Sequence, residues 1–164
     1  MTTTITRAEA EEFLVNEAEI LDDWRLPEWP KLYTRDARYE VCGPAAINAM
    51  TDNPDSHLFL VADRIDRIEG RANRLMKPTA HAEYPHSKTR HLVSNFRVNP
   101  GENGETKVRA NFAVFRSKED NQTVYMGEYH YILVRENGEI KIRTKRCILD
   151  LNSLSNQGRL TIIL

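Results

Sequence analysis

The residues of this chain that could perform chemistry include one candidate acid–base set. Glu128 and His130 lie two positions apart in a stretch of alternating polarity, so on a β-strand they share one face. A carboxylate and an imidazole placed together can transfer a proton next to a carbonyl group. Tyr33 and Asp36 could approach this pair from the N-terminal helices. The chain could therefore be a proton-transfer enzyme; alternatively, strand neighbours or subunit contacts satisfy Glu128 and His130.

Three histidines, His81, His86 and His91, recur at intervals of five residues, as metal ligands sometimes do. A spacing of five turns successive side chains by about 140° on a helix and places them on opposite faces of a strand. Pro85 also interrupts regular structure. A mononuclear iron site needs two histidines and a carboxylate that meet on one face. The sequence therefore predicts a polar loop leading into a strand here, and no metal site.

The two cysteines, Cys42 and Cys147, do not form an iron–sulfur motif. A Rieske cluster needs two cysteines and two histidines in paired spacing, and neither cysteine has a histidine within three positions. Each lies in apolar, strand-like sequence, where a free cysteine behaves as a small hydrophobic side chain. We expect unpaired thiols. The glycines form no phosphate-binding pattern, and there is no nucleophile elbow.

The composition limits the class of protein. A chain of 164 residues with 40% hydrophobic and 29% charged residues is long enough for one domain, which we expect to span residues 1–164. The net charge of −1 favours neither nucleic acid nor an anionic membrane as a partner. No apolar run approaches the roughly 20 residues of a membrane helix, and the first residues do not resemble a signal peptide. We expect a cytoplasmic protein.

The N-terminal part of the sequence is helical in pattern. Thr6 and Glu9 form a capping box that opens the first helix. The following side chains at helical spacing are apolar except for Glu17. At the far end, Asp22 and Asp23 oppose the helix dipole, so we expect this end to fray or to be compensated by a cation such as Arg25.

Further elements follow before the sheet-forming half. A short helix over 27–33 and a short strand over 37–42 are predicted, and another helix begins near Asp63. One face of that helix is apolar, and the adjacent face is a stripe of Arg64, Arg67, Arg71 and Arg74. Asp63 can pair with Arg67 at a spacing of four. The stripe is either a solvated face with local ion pairs or a surface that meets a partner chain, where arginine is enriched.

After Pro85 the pattern changes to strands. Alternating segments are separated by Asn-Gly turns at 102–105 and 136–139 and by a looser connection at 118–122. Residues 92, 94, 96 and 98 share one face of the first segment. In the last segment the apolar positions switch parity between Ile142 and Cys147, which indicates a bulge or burial on both faces. The sequence predicts an antiparallel meander of four strands covered by the N-terminal helices, and therefore an α+β fold.

The segment 85–95, with sequence PHSKTRHLVSN, resembles the signature of the small (β) subunit of aromatic-ring-hydroxylating (Rieske non-haem iron) dioxygenases. The capped first helix, the 63–75 helix and the strands around 127–129 and 145–150 are also similar, and the N-terminal half is most like benzoate- or cumate-type subunits. The chain departs at His86, where such proteins often carry proline or a small residue, and at Lys88, where they often carry arginine.

This resemblance implies a cone of the nuclear-transport-factor-2 (NTF2-like, SnoaL/cystatin-like) type, with helices packed into a strongly curved antiparallel sheet. It also implies a non-catalytic structural β subunit with no catalytic, cofactor-binding or metal-binding residue of its own. The Rieske [2Fe-2S] cluster and the mononuclear iron would belong to the large α subunit, in an α3β3 assembly with a trimer of β chains. The holoenzyme would use dioxygen and NAD(P)H to form a cis-dihydrodiol from an aromatic substrate, which the α chain selects.

The resemblance also directs attention to interfaces. We expect contact with the α subunit at Arg64, Arg67, Arg71, Arg74 and Arg90. Arg97 and Arg146 are expected to serve strand–strand or β–β contacts. The competing possibility is a stand-alone isomerase or dehydratase of the same cone fold that uses Glu128 and His130 as acid and base. The enzyme requires an open apolar cone, whereas the subunit tolerates a filled one.

Overall fold

The computed structural model of the chain describes residues 4–43, 53–54, 59–151 and 159–164. Two α-helices, one 3₁₀ helix and six strands are defined, and the α+β class is confirmed. Their bounds are α1 Arg7–Asp22, the 3₁₀ helix Leu26–Leu32, β1 Tyr33–Cys42, β2 Val61–Arg64, α2 Ile65–Leu75, β3 Lys88–Pro100, β4 Thr106–Lys118, β5 Asn121–Glu136 and β6 Glu139–Leu149. Neither α-helix of the described part has the length and apolar character needed to cross a membrane.

Helix α1 begins as the sequence predicts and ends differently. The backbone N–H of Thr6 donates to Glu9 at 2.9 Å, and that of Glu9 donates to the Thr6 hydroxyl at 3.2 Å, so the capping box is confirmed. At the other end, Arg25 lies 3.5 Å from Asp23. Asp22 accepts from the Thr89 hydroxyl at 2.9 Å and from the His91 backbone. The carboxylates at this end of the helix are therefore compensated by donors on β3 as well as by Arg25, and the end of the helix is fixed in place.

The six strands form one sheet in the order β2-β1-β6-β5-β4-β3. The predicted meander corresponds to β3–β6, in which successive strands pair antiparallel. Strand β1 then adds to β6 in parallel, and β2 pairs antiparallel with β1. Both additions depend on partners far away in the sequence.

Two predicted boundaries near the helices were wrong. Strand β1 starts at Tyr33, four residues before the predicted strand, because the preceding helix is a 3₁₀ helix that ends at Leu32. Asp63 lies in strand β2 and pairs with Tyr39, so α2 begins only at Ile65. Pairing with β1 holds this short segment extended.

The connections between the long strands are tight turns. Asn103 and Gly104 have φ of 50° and 79°, and Asn137 and Gly138 have φ of 52° and 83°. Two successive positive φ values are the requirement of type I′ hairpin turns, which Asn-Gly satisfies at low cost. Both predicted hairpins are confirmed.

Two irregularities set which side chains face the interior. The β3–β4 register shifts between Ser94 and Arg97, with Asn95 at φ 57°. The predicted single alternation over residues 92–98 was therefore wrong, because Leu92 faces outward whereas Phe96 packs against the core. On β6 the register also shifts, opposite Ile132 and Leu133. A bulge therefore accounts for the parity switch predicted in the last strand.

The concave face of the sheet and the helices enclose a filled core. Inward side chains of the strands pack against α1, the 3₁₀ helix and α2. The largest fully buried apolar side chains are Trp29, Tyr39, Tyr125, Tyr129, Leu14, Ile68, Leu133, Ile142 and Leu164. A void lined by Leu21, Trp24, His91 and Ile163, among others, has a volume of only about 10 Å³. That volume holds at most one water molecule.

Candidate functional site

The predicted acid–base pair exists, but it lies outside the cone. The Nε2 of His130 is 2.8 Å from Oε1 of Glu128, and Nε of Arg109 is 3.0 Å from the same oxygen. The neighbouring residues Tyr129 and Tyr131 are buried on the opposite face of the strand. Glu128 is thus satisfied by neighbours on the outer surface of the sheet, as the alternative interpretation of this pair predicts.

The other two members of the predicted set are not brought to this pair. Tyr33 and Asp36 lie in strand β1, not in a helix. Tyr33 points into the core, where burial raises the pKa of its phenol well above the ordinary value. Asp36 accepts a hydrogen bond from Thr34 at 2.6 Å and lies 3.5 Å from Arg143. The sheet separates Tyr33 from Glu128 and His130, so the predicted residues do not form one site.

The polar cluster inside the cone is built from residues that the sequence analysis did not select. Nζ of Lys145 lies 3.0 Å from Oε1 of Glu17, and both side chains are almost fully buried. Glu17 also accepts hydrogen bonds from the Trp29 indole at 3.0 Å and from the Tyr131 hydroxyl. Glu17 was the one polar residue on the buried face of α1, a signal that could have led to this cluster. Its carboxylate is buried, and both of its oxygens have hydrogen-bond partners.

The segment 159–164 closes the mouth of the cone. Lys145 donates to the Leu164 carbonyl at 2.7 Å, and the Leu164 N–H donates to the Tyr39 hydroxyl at 3.1 Å. The Thr161 hydroxyl donates to Glu83. Ile162, Ile163 and Leu164 are all buried. Residues 161–164 are therefore packed into the interior beside Lys145 and Tyr39.

Two of the three histidines in the 81–91 segment, His86 and His91, have packing roles. The ring of His86 stacks on Trp24 with centroids 4.0 Å apart. Both ring nitrogens of His91 face acceptors, the Asp22 carboxylate and, at 2.9 Å, the Ile163 carbonyl. His91 thus joins α1, β3 and segment 159–164, whereas the sequence analysis predicted only a polar loop leading into a strand.

The donor set for a Rieske cluster or a mononuclear iron does not fit. Within the described ranges, no three His, Cys, Asp or Glu side chains are arranged to hold a metal ion. Cys42 and Cys147 are buried on neighbouring strands, and burial raises the pKa of the Cys147 thiol to about 12. A thiol with that pKa is a poor source of the thiolate that a cluster requires.

The helix arginines divide into anchored and exposed residues. Arg71 donates to Asp63 at 2.7 Å, and Arg67 lies 3.6 Å from the same buried carboxylate, which confirms the predicted pairing. Arg64, Arg67 and Arg74 are exposed. Arg74 lines a groove of about 680 Å³. The stripe therefore contains local ion pairs and also offers cations to a partner.

The remaining predicted interface residues lie on the sheet. Arg90 is on β3, the edge strand opposite β2, with Phe115 as its cross-strand neighbour. It does not extend the stripe of α2. Arg146 donates to Glu40 at 2.7 Å, which joins β6 to β1 as the predicted strand–strand contact. Arg97 is exposed on β3.

Comparison with known proteins decides the family. Residues 16–156 match the family described as ring hydroxylating beta subunit. The chain belongs to this family. The β subunit is also 46% identical over 160 residues to the small oxygenase component of the p-cumate 2,3-dioxygenase system of Pseudomonas putida, an alignment that covers 98% of this chain and 88% of the relative. The resemblance found in the 85–95 segment is confirmed, and the β subunit is a small component of an aromatic dioxygenase system.

Solved structures share the fold of this β subunit. Naphthalene 1,2-dioxygenase with indole bound aligns with a TM-score of 0.83 at 17% identity, over 96% of this chain and 85% of that one. The β subunit of benzoate 1,2-dioxygenase from Burkholderia mallei gives 0.75 at 22% identity, over 90% and 93%. An NTF2-like protein with a cystatin-like fold from Novosphingobium aromaticivorans gives 0.64 at 14% identity, over 94% and 88%. The predicted NTF2-like cone is confirmed.

Proposed function

We propose that this β subunit is a non-catalytic assembly subunit, which holds large α subunits in the arrangement needed for ring dihydroxylation. The Rieske [2Fe-2S] cluster and the mononuclear iron reside in the α subunit, and this chain, a single domain over residues 1–164, contributes no ligand to either. The assembly is α3β3 with β–β contacts, and it works in the cytoplasm, where NAD(P)H is available. The name of the P. putida relative makes aromatic acids such as p-cumate the first substrates to test.

The observation that carries this proposal is the filled cone. The interior acid, Glu17, is paired with Lys145, and segment 159–164 occupies the mouth. Glu128 binds both His130 and Arg109 on the outer face of the sheet. Among the described residues, the candidate acid and base groups are therefore engaged in internal packing or surface ion pairs, which supports an assembly role. This favours the subunit over the stand-alone isomerase or dehydratase.

The α subunit contact is proposed at Arg64, Arg67, Arg71, Arg74 and Arg90. Arginine suits such a surface because its planar guanidinium can bind a carboxylate through two hydrogen bonds. Arg64 and Arg74 are exposed. Arg71 is tied to buried Asp63, so its replacement would disturb the fold as well as the surface. Arg64 and Arg74 are therefore the positions at which binding can be tested without loss of folding.

We expect the double variant Arg64→Glu/Arg74→Glu to retain at least about tenfold less α subunit than the wild type, since like charges would then face the partner. The measurement is co-expression with the α subunit of the same system, capture through a tag on this chain, and quantification of the retained large polypeptide and its iron. Lys77→Glu, an exposed cation just after α2, is the matched control and should change nothing. Full retention by the double variant would remove these arginines from the interface. If the wild-type chain captured no large polypeptide, the subunit role itself would be refuted.

A further inference from the structure

A groove of about 680 Å³ is lined by α2, the start of β2, the turn at 79–83 and segment 159–164. Its lining combines apolar side chains with cations, chiefly Leu60, Leu75, Leu160, Arg71, Arg74 and Arg159. We call this space, with these six residues, the arginine groove. Its volume lies within the range of small-molecule binding sites.

The orientation of one of these cations, Arg71, is fixed by the fold. Nε of Arg71 donates to the buried carboxylate of Asp63 at 2.7 Å, and the Arg71 side chain is 22% exposed. Arg67 lies 3.6 Å from the same carboxylate and shares in balancing its charge. Among the described residues, the terminal nitrogens of Arg71 have no hydrogen-bond partner. A guanidinium held through Nε keeps its terminal nitrogens available for an oxygen ligand, and little side-chain entropy remains to be lost on binding.

The other two cations of the arginine groove have no counter-charge. Arg74 and Arg159 are exposed, and neither side chain forms an ion pair or a hydrogen bond with another described residue. Glu83 is the one acidic residue among the described lining residues. It is 1% exposed, and its carboxylate is bound to the Arg116 guanidinium and to two hydroxyl groups. The charge of the three arginines is therefore opposed only by a carboxylate that already has its own cation.

The apolar part of the arginine groove includes a large side chain exposed to solvent. The backbone N–H of Leu60 donates to the Val41 carbonyl at 2.9 Å, so the position of this residue is set by β1, yet its side chain is 44% exposed. Leu75 and Leu160 line the same space and pack against the core on their other side. A ligand with an apolar body would remove Leu60 from water, which is favourable.

We propose that the arginine groove binds an aromatic carboxylate, with the carboxylate on the arginines and the ring against the leucines. An inorganic anion would use the arginines and leave the leucines in water, whereas a neutral hydrocarbon would leave the arginines without a counter-charge. The combined lining therefore selects an anion with an apolar body. The choice of an aromatic ring rests on the proposed function, which makes aromatic acids the substrate class.

The first test compares three probes on the full-length chain by isothermal titration calorimetry at low ionic strength. We expect saturable binding of 4-methylbenzoate to one site, with a dissociation constant of about 1 mM or lower. The neutral analogue 4-methylbenzamide and the small anion acetate should each bind at least about tenfold more weakly, because each lacks one half of the recognition. Equal binding of acetate would mean an adventitious ion only, and equal binding of the amide would mean that the arginines play no part. Either result, or no saturable binding of 4-methylbenzoate, would overturn the inference.

The second test uses variants at two exposed positions of the groove. Arg159→Met removes a cation, and Leu60→Asp replaces apolar area by a negative charge, so each should weaken binding of 4-methylbenzoate at least about tenfold. Arg97→Met is the matched control, because Arg97 is an exposed cation on β3, at the opposite edge of the sheet from β2. It should bind as the wild type does. Circular dichroism establishes that each variant is folded, and wild-type affinity in both folded groove variants would overturn the inference.

Co-expression with the α subunit separates this inference from the proposed function. Capture of the large polypeptide needs no ligand, and Arg159→Met should capture it as the wild type does, because Arg159 lies outside the proposed α contact. Normal capture by a chain that does not bind 4-methylbenzoate would overturn the groove and leave the subunit role intact. Selective binding of 4-methylbenzoate by a chain that captures no large polypeptide would support the groove and refute the proposed function.

Discussion

Among single residues, Lys145 and Glu17 matter most for the interior of the cone, where they form a buried ion pair. Their side chains are 1% and 2% exposed, and each needs the other because an unpaired buried charge is costly. We expect Lys145→Met to lower the free energy of unfolding by about 3–5 kcal/mol. The measurement is urea denaturation at pH 7 followed by circular dichroism.

The double variant Glu17→Gln/Lys145→Met is the control for this prediction. It removes both charges, so it should recover a large part of the stability lost in the single variant. Equal losses in the single and double variants would mean that the ion pair does not hold the interior together.

Another single residue, Glu83, couples folding to pH. Burial opposes the charge of its carboxylate, but hydrogen bonds from Ser87, Thr161 and Arg116 outweigh burial and lower the pKa below the ordinary 4.5. A lowered pKa in the folded state stabilises the protein above pH 4.5, and this contribution is lost as the pH falls through the folded-state pKa. We expect Glu83→Gln to cost about 1.5–3 kcal/mol at pH 7.

The comparison with the wild type over pH is the decisive part of that prediction. The stability of Glu83→Gln should depend less on pH below 4.5 than that of the wild type, as measured by urea midpoints at pH 7, 5, 4 and 3. Glu119→Gln, at an exposed turn, is the control and should follow the wild type. Parallel pH curves for Glu83→Gln and the wild type would contradict the role of Glu83.

At the scale of elements, the contact between β5 and β6 depends on a glycine. A Cβ on Gly127 would lie 1.9 Å from the Ile148 carbonyl oxygen and 3.1 Å from the Leu149 Cα, both backbone atoms. Gly127→Ala should therefore force the two strands apart and cost about 1–3 kcal/mol or more. Gly70→Ala in α2, where nothing lies within 4 Å, should instead stabilise by about 0.5–1 kcal/mol. Thermal unfolding of both variants tests these two expectations. An unchanged melting temperature of Gly127→Ala would contradict the register between β5 and β6.

The elements also show how far sequence patterns reach. The capping box at Thr6 and the Asn103 and Asn137 turns were predictable because their signals are local. Strand β2 was missed because four residues become a strand only through pairing with β1. The bulge at Asn95 was missed because the surrounding alternation continues through this position, although asparagine tolerates a positive φ better than most residues.

The candidate site was likewise predictable only where its sequence signals are local. The sequence correctly placed Glu128 and His130 on one strand face, because a spacing of two fixes that. Which face becomes the interior depends on where the helices pack, and the sequence analysis left that open. The outward position of Leu92 was missed for a related reason, since the sequence analysis grouped Leu92 with Phe96 on one face and the bulge separates them.

At the scale of the whole molecule, we propose that this β subunit functions only as part of a complex. Its interior is packed around the Glu17–Lys145 pair, and its exposed arginines on α2 form the surface proposed to contact the α subunit. The most direct measurement is the native mass and iron content of the chain purified gently from its own host. The account predicts a brown complex several times the 19.0 kDa of one chain, with a larger iron-containing polypeptide in equal number. A colourless homo-oligomer without a larger polypeptide would contradict it and would make Glu128 and His130 the residues to test for proton transfer.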